Sequence, residues 1–174
     1  MNYSRRNVLK MGVSAAAMWA MGSRLMAAET GKKIPIGVQL YSVREACQKD
    51  LAGTLDAIAK MGYKGVEFAG YYGHDAKAIR KMLDNSGLVC CGTHTAFDEV
   101  QPNKFKATVE LHKTLGCKFI NVPYIPEDRF ATVEKCKQLG EEFSALAEKL
   151  KADGMVIGYH AHGGDFKKIG DETH

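Results

Sequence analysis

The sequence predicts an α/β fold built on a parallel sheet, and three patterns carry that prediction. Four helical patterns close on glycine, at Ala59-Lys60-Met61-Gly62, Asp84-Asn85-Ser86-Gly87, Thr114-Leu115-Gly116 and Ala152-Asp153-Gly154; glycine is favoured just past a helix end because it enters the left-handed backbone region at no steric cost. Each glycine is followed within three residues by a short apolar run: Gly65–Phe68, Leu88–Thr93, Lys118–Val122 and Met155–His160. Helix, glycine and strand in repeated alternation is the signature of βα units. Finally, a glycine precedes a polar side chain by two residues in Gly37-Val38-Gln39, Gly65-Val66-Glu67, Gly92-Thr93-His94 and Gly158-Tyr159-His160. Residues two apart on a strand share a face. Each strand thus presents a small residue and then a polar one inward, while Val38, Val66 and Tyr159 face the other way.

The elements follow in order. The first strand is predicted over 34–41, with Ile36, Val38 and Leu40 toward the helices and Gly37, Gln39 and Tyr41 inward. The first helix carries an apolar stripe at Leu51, Leu55, Ile58 and Ala59, and the second one at Ile79, Met82 and Leu83, with Asp75 as its N-cap. The third is predicted over 104–115 and the fourth over 129–151. The result is β1α1β2α2β3α3β4α4β5. The residues after His160 are too few for another crossover helix and strand, and a complete eight-fold barrel takes about 250 residues. The expected architecture is therefore the N-terminal part of a (β/α)8 barrel, about five strands and four helices, incomplete at its C-terminal side; an open sheet of the same composition is the alternative. In a barrel, a polar ring at the strand ends is where a site is built.

Composition narrows the classes. The chain has 174 residues, 45% hydrophobic and 25% charged, enough for one domain with a real core. Its net charge of +4 comes from Arg5, Arg6, Lys10 and Arg24 in a leader without acids, so the rest is balanced and gives no argument for nucleic acid or anionic membrane as a partner. Residues 1–28 read as a secretory signal: Ser4-Arg5-Arg6-Asn7-Val8-Leu9-Lys10, an apolar stretch 11–22, then Met26-Ala27-Ala28. The paired arginines resemble a twin-arginine signal, with Val8 where Phe is usual. The chain is expected to be exported to the periplasm, or, if the leader is not cleaved, to be anchored by it; no stable membrane span is expected in the mature chain. The remaining domain is 33–174. The five cysteines include no Cys-x-x-Cys, and Cys90 and Cys91 must face opposite ways on a strand, so neither a disulfide framework nor a zinc ribbon is implied. Small buried hydrophobes are the expectation for them.

The chemistry-bearing candidates sit at the strand ends. His160 and His162, in Gly158-Tyr159-His160-Ala161-His162, project to one side of an extended strand and could share a metal ion or clamp a hydroxylated ligand; the plain alternative is one core histidine and one loop histidine. His94 ends the third strand in the same way. Glu67 ends the second, where an inward carboxylate is costly to bury unpaired; a cation, a histidine or a ligand should lie nearby, or else a lysine or arginine. Gln39 and Tyr41 suit the orientation of hydroxyls. Asn121 is a weaker candidate because Pro123 soon redirects the chain. His74 lies near a helix start and His112 on a polar helix surface. Asp165 could reach the strand mouth or close a turn. No Gly-x-Gly-x-x-Gly, P-loop or Gly-x-Ser-x-Gly is present, so phosphate-loop nucleotide binding and serine-hydrolase chemistry have no support.

Four segments taken together, Ile36-Gly37-Val38-Gln39-Leu40-Tyr41-Ser42-Val43-Arg44, Gly62-Tyr63-Lys64-Gly65-Val66-Glu67-Phe68, Gly92-Thr93-His94-Thr95 and Gly158-Tyr159-His160-Ala161-His162, resemble the xylose isomerase-like TIM-barrel proteins, more narrowly the exported sugar phosphate isomerase/epimerase group. The resemblance implies a divalent metal (Mn, Mg, Zn or Co), complete only in the full barrel, acting on a sugar, sugar phosphate or polyol by proton or hydride shuttling. It implies Glu67, His94 and His160 as catalytic residues, Gln39, Tyr41 and His162 as substrate contacts, and His160 as a metal ligand, the other ligands being expected beyond His174. Two positions depart from the pattern: Ala161 stands where Asn is usual between the histidines, and Asp165 where Glu is usual. His160 itself replaces a carboxylate that many members use.

The expected function is accordingly metal-assisted sugar isomerisation or epimerisation, with the fragment inactive on its own. The alternatives are a non-catalytic carbohydrate-binding barrel and a metal-dependent lyase or hydrolase acting on oxidised glycosides. The expected partner is a small sugar or polyol, with self-association through the open sheet edges.

Overall fold

The structure, a computed structural model, describes residues 34–166, 168–169 and 172–173. The signal-like leader lies outside the described residues. The chain divides at Ile34/Pro35, and the unit that follows contains every element below.

Five strands form one sheet in chain order: β1 (Gly37–Gln39), β2 (Gly65–Phe68), β3 (Val89–His94), β4 (Phe119–Val122) and β5 (Val156–Tyr159). Every neighbouring pair is parallel. The connections run through helices: α1 (Arg44–Lys49) and α2 (Leu51–Lys60) between β1 and β2, α3 (Ala76–Ser86), α4 (Phe105–Leu115) and α5 (Val133–Lys151) between the later pairs. This is the α/β architecture of a partial (β/α)8 barrel. A short antiparallel pair, β6 (Lys168–Ile169) and β7 (Glu172–Thr173), follows and was not anticipated.

The helix ends behave as their glycines require. Gly62, Gly87, Gly116 and Gly154 have φ of 99°, 68°, 67° and 67°, the region where a side chain costs about 1 kcal/mol or more. Asp75 caps α3 by accepting from the Ala78 N–H, and Asp50 caps α2 by accepting from Gly53. The helices cover one face of the sheet. Leu51, Leu55 and Ile58 of α2 and Ile79 and Leu83 of α3 pack with Leu40, Val66, Phe68 and Cys90. A second cluster joins Val109 of α4, Leu146 and Leu150 of α5, and Ile120 of β4. Among the described residues no helix is long and apolar enough to cross a membrane.

Two boundaries are corrected. β1 is shorter than 34–41: Leu40–Val43 is a 3-10 turn leading directly into α1, a helix the apolar pattern did not reveal. Leu40 still reaches the core at 0% exposure, so its burial imitates one more step of strand alternation, whereas Ile36 is 64% exposed. The long fourth helix begins at Val133 after a separate 3-10 turn, Glu127–Phe130.

Candidate functional site

β1 to β4 each place one polar side chain at the C-terminal end of the sheet's uncovered face. Glu67 stands at the centre. The Gln39 amide donates to Glu67 Oε1 at 2.6 Å, the Asn121 amide donates to Oε2 at 2.7 Å, and His94 Nε2 lies 3.2 Å from Oε1. The carboxylate is thus held by two neutral amides and an imidazole, its partners on β1, β4 and β3. No lysine or arginine pairs with it among the described residues.

Space for this cluster comes from small residues. A Cβ on Gly92 would lie 2.7 Å from Glu67 Oε2. The layer beneath is tight at Gly37 and Gly65, each of which would bring a Cβ within 3.3 Å or less of Cys91 Sγ. The layer of inward glycines is partly filled by Cys91, inward and exposed while Cys90 is buried against the helices. The irregularity between Val66 and Glu67, where the register with β3 shifts, is what lets Cys91 and Gly92 both serve this face. Cys47, Cys90 and Cys117 are buried as expected; Cys91 and Cys136 are not.

His94 Nε2 stands between two partners: the Gln39 amide at 3.0 Å, from which it accepts in one tautomer, and Glu67 Oε1 at 3.2 Å, to which it donates in the other. Burial holds the imidazole below the ordinary histidine range, the Glu67 charge opposes this, and His160 and His162 add to the lowering.

β5 ends at Tyr159, so His160 and His162 lie in the loop beyond it. They still come together. The His160 ring is 4.7 Å from that of His94 and 4.9 Å from that of His162, both edge to face. Asp165 takes the turn role: its carboxylate accepts from the His162 N–H at 2.6 Å. Tyr159 faces the helices, edge-on to Phe143 at 6.4 Å. Behind it, on the helix side, a cavity of about 310 Å³ is walled by Leu139, Phe143, Tyr159 and Phe166, away from the strand-end donors.

Of the sequence-predicted residues, Gln39, Glu67, His94 and His160 converge, with His162 beside them. Tyr41 does not share their face: it lies in the 3-10 turn, 55% exposed, and lines a rim depression instead. Asn121 is a site residue undervalued by sequence, because β4 runs through Val122 before Pro123 takes effect. His112 is not on a polar surface but fully buried, bonded to Thr93 Oγ1 at 2.7 Å.

Glu67, His94 and His160 offer ligand atoms that all lie within 4.8 Å of one another. One carboxylate and two imidazoles suit Zn, Mn or Co, and three protein ligands leave coordination positions open, as catalytic metal sites do. The donor set fits a divalent cation.

The comparisons bear on this arrangement. The pattern of the xylose isomerase-like TIM barrel family matches residues 55–174. This chain belongs to that family. A sugar phosphate isomerase/epimerase from Parabacteroides distasonis is 26% identical, with a TM-score of 0.68, over 82% of this chain and 57% of its own. A family 2 AP endonuclease from Brucella melitensis shares the fold at 18% identity and a TM-score of 0.51, over 72% of this chain and 55% of its own. This chain therefore spans a little over half the length of these two solved relatives. No curated protein matches it.

Proposed function

We propose that this chain carries the first-to-fifth-strand share of a metal-assisted site that isomerises or epimerises a small sugar or polyol. The observation that carries the reading is the Glu67 carboxylate, clamped by Gln39 and Asn121 and facing the imidazoles of His94 and His160 at the ends of parallel strands. Membership of the xylose isomerase-like family and the likeness to a sugar phosphate isomerase/epimerase support it.

Glu67, His94 and His160 would hold the cation. When bound, it supplies polarisation of a substrate carbonyl, which acidifies the neighbouring C–H. The two amides stop the carboxylate from rotating, so its lone pairs stay aimed at one point. His162, exposed next to His160, is placed to hold or pass a proton at a substrate hydroxyl. The twin-arginine-like leader supports a periplasmic location for this chemistry.

The test is a titration of the chain with Mn2+, followed by loss of the free-ion electron paramagnetic resonance signal, with a parallel thermal unfolding series in D-fructose. One Mn2+ should bind per chain, about tenfold or more weakly in Glu67→Gln and His94→Ala. D-fructose should raise the melting temperature only when the cation is present. Absence of cation binding overturns the proposal, and thermal stabilisation by sugar without any cation would favour a carbohydrate-binding role instead.

A further inference from the structure

Beside the carboxylate site, between the ends of β1 and β2, lies an open depression of about 520 Å³ lined by Tyr41, Arg44, Glu45, Lys49, Ala69 and Tyr72, with Gln48 completing the wall. We propose that it is the subsite for an anionic group, a phosphate or a carboxylate, carried by the substrate at a distance from its reacting carbon. The proposal rests on the isomerase/epimerase reading and names the class of substrate.

Position is the first argument. Tyr41 follows Gln39 by two residues and Ala69 follows Glu67 by two. Two residues span at most about 7 Å of backbone, so the Tyr41 and Ala69 walls of the depression begin next to the strand ends that carry Gln39 and Glu67. One molecule can lie with its carbonyl end at Glu67 and its far end over Arg44.

Charge is the second. Arg44 and Lys49 supply two cations against the single carboxylate of Glu45, and neither cation is in an ion pair among the described residues, although Glu45 is next in sequence to Arg44.

Preorganisation is the third. The Arg44 guanidinium lies 4.6 Å above the Tyr41 ring, and its Nη1 donates to the Tyr41 carbonyl at 3.0 Å. Stacking and one backbone bond fix the plane of the group while its other N–H donors remain free, the condition under which arginine recognises carboxylate or phosphate in a two-pronged way. Tyr72 adds to the lining, and its hydroxyl, pushed up to about 12 chiefly by burial, with Arg44 opposing, stays protonated.

The experiment titrates the chain calorimetrically with D-fructose, D-fructose 6-phosphate, D-glucuronate and inorganic phosphate. An anionic sugar should bind about tenfold or more tightly than the neutral ketose, as expected for hydrogen bonds to a charged group; the better of the two identifies phosphate or carboxylate. Arg44→Met should bring that ratio close to one, and Glu45→Gln should raise it, a gain that damage to the fold cannot produce. Equal affinity for neutral and anionic sugars, or an advantage that survives Arg44→Met, overturns the subsite. If D-fructose and the anionic sugars all fail to bind, the isomerase/epimerase reading falls. The subsite is then judged by inorganic phosphate alone: affinity weakened by Arg44→Met and strengthened by Glu45→Gln supports it, and no response overturns it.

Discussion

A Cβ placed on Gly92 would approach Glu67 Oε2 to 2.7 Å and Asn121 Nδ2 to 3.0 Å. The nearer atom belongs to a carboxylate that Gln39 and Asn121 hold in place, and Gly92 does not occupy the left-handed region. Gly92→Ala should therefore displace the carboxylate from these bonds, costing about 1–3 kcal/mol and lowering Mn2+ affinity about tenfold; melting curves and a titration of both proteins check this. Asn121→Asp should set a second carboxylate where an amide now donates at 2.7 Å. Like charges that close raise a carboxyl pKa in the folded state, so the folded variant takes up a proton before the unfolded chain does. It should be about 1–3 kcal/mol less stable than wild type at pH 7, with the gap narrowing toward pH 5 in denaturant titrations. Gln39, Glu67 and His94 were legible because strand alternation and a preceding glycine set their direction, and His160 joins them from the loop just past β5. Asn121 was obscured by Pro123, and Tyr41 was misplaced because Leu40, buried from a turn, continued the period of a strand. Nothing local in the sequence marked Tyr41 and Arg44 as a stacked pair.

Between α4 and β3 the buried polar contacts form a single chain. His112 Nδ1 donates to the Thr108 carbonyl at 2.7 Å, leaving Nε2 to accept from Thr93 at 2.7 Å, while Thr93 and Thr95 share a bond of 2.8 Å. The residues on either side of His94, the last of β3, are thereby tied to the helix behind them. Burial holds the His112 imidazole below the ordinary histidine range. The sign follows directly: between that lowered value and about 6.5 the unfolded chain binds more protons, so this contribution is complete above about pH 6.5 and is lost as the pH falls. His112→Leu should cost about 1–3 kcal/mol by leaving Thr93 short of a partner. It should also flatten the acid limb of the stability profile, which urea titrations from pH 7 to pH 5 would show. The ends of α3 and α4 were legible to the residue from Gly87 and Gly116, while α2 and α5 stop two and three residues before Gly62 and Gly154. His112 was not, since an amphipathic pattern gives a helix a buried stripe but does not say that a histidine within it has a threonine waiting on the neighbouring strand.

In the sheet as a whole, β1 and β5 each pair on one side only among the described residues, and Val89, Phe119 and Val156 on the uncovered face are 50–58% exposed. Open edges and exposed apolar surface favour association. The chain should sediment as concentration-dependent oligomers in the micromolar range; a monomer at every concentration would contradict this. The parallel order of the strands was readable from the repeated helix-glycine-strand pattern, whereas the register shift at Val66/Glu67 is a property of paired strands that no single strand encodes. Glu67 bridges to partners 27 to 54 positions away in sequence on three other strands. Such contacts form only after β1, β2, β3 and β4 have all aligned, since loop closure must precede them. Capture of a cation by this cluster would then serve as a clock for assembly: in refolding it should be among the last signals to appear, and a bound ion should slow amide exchange in all four strands together.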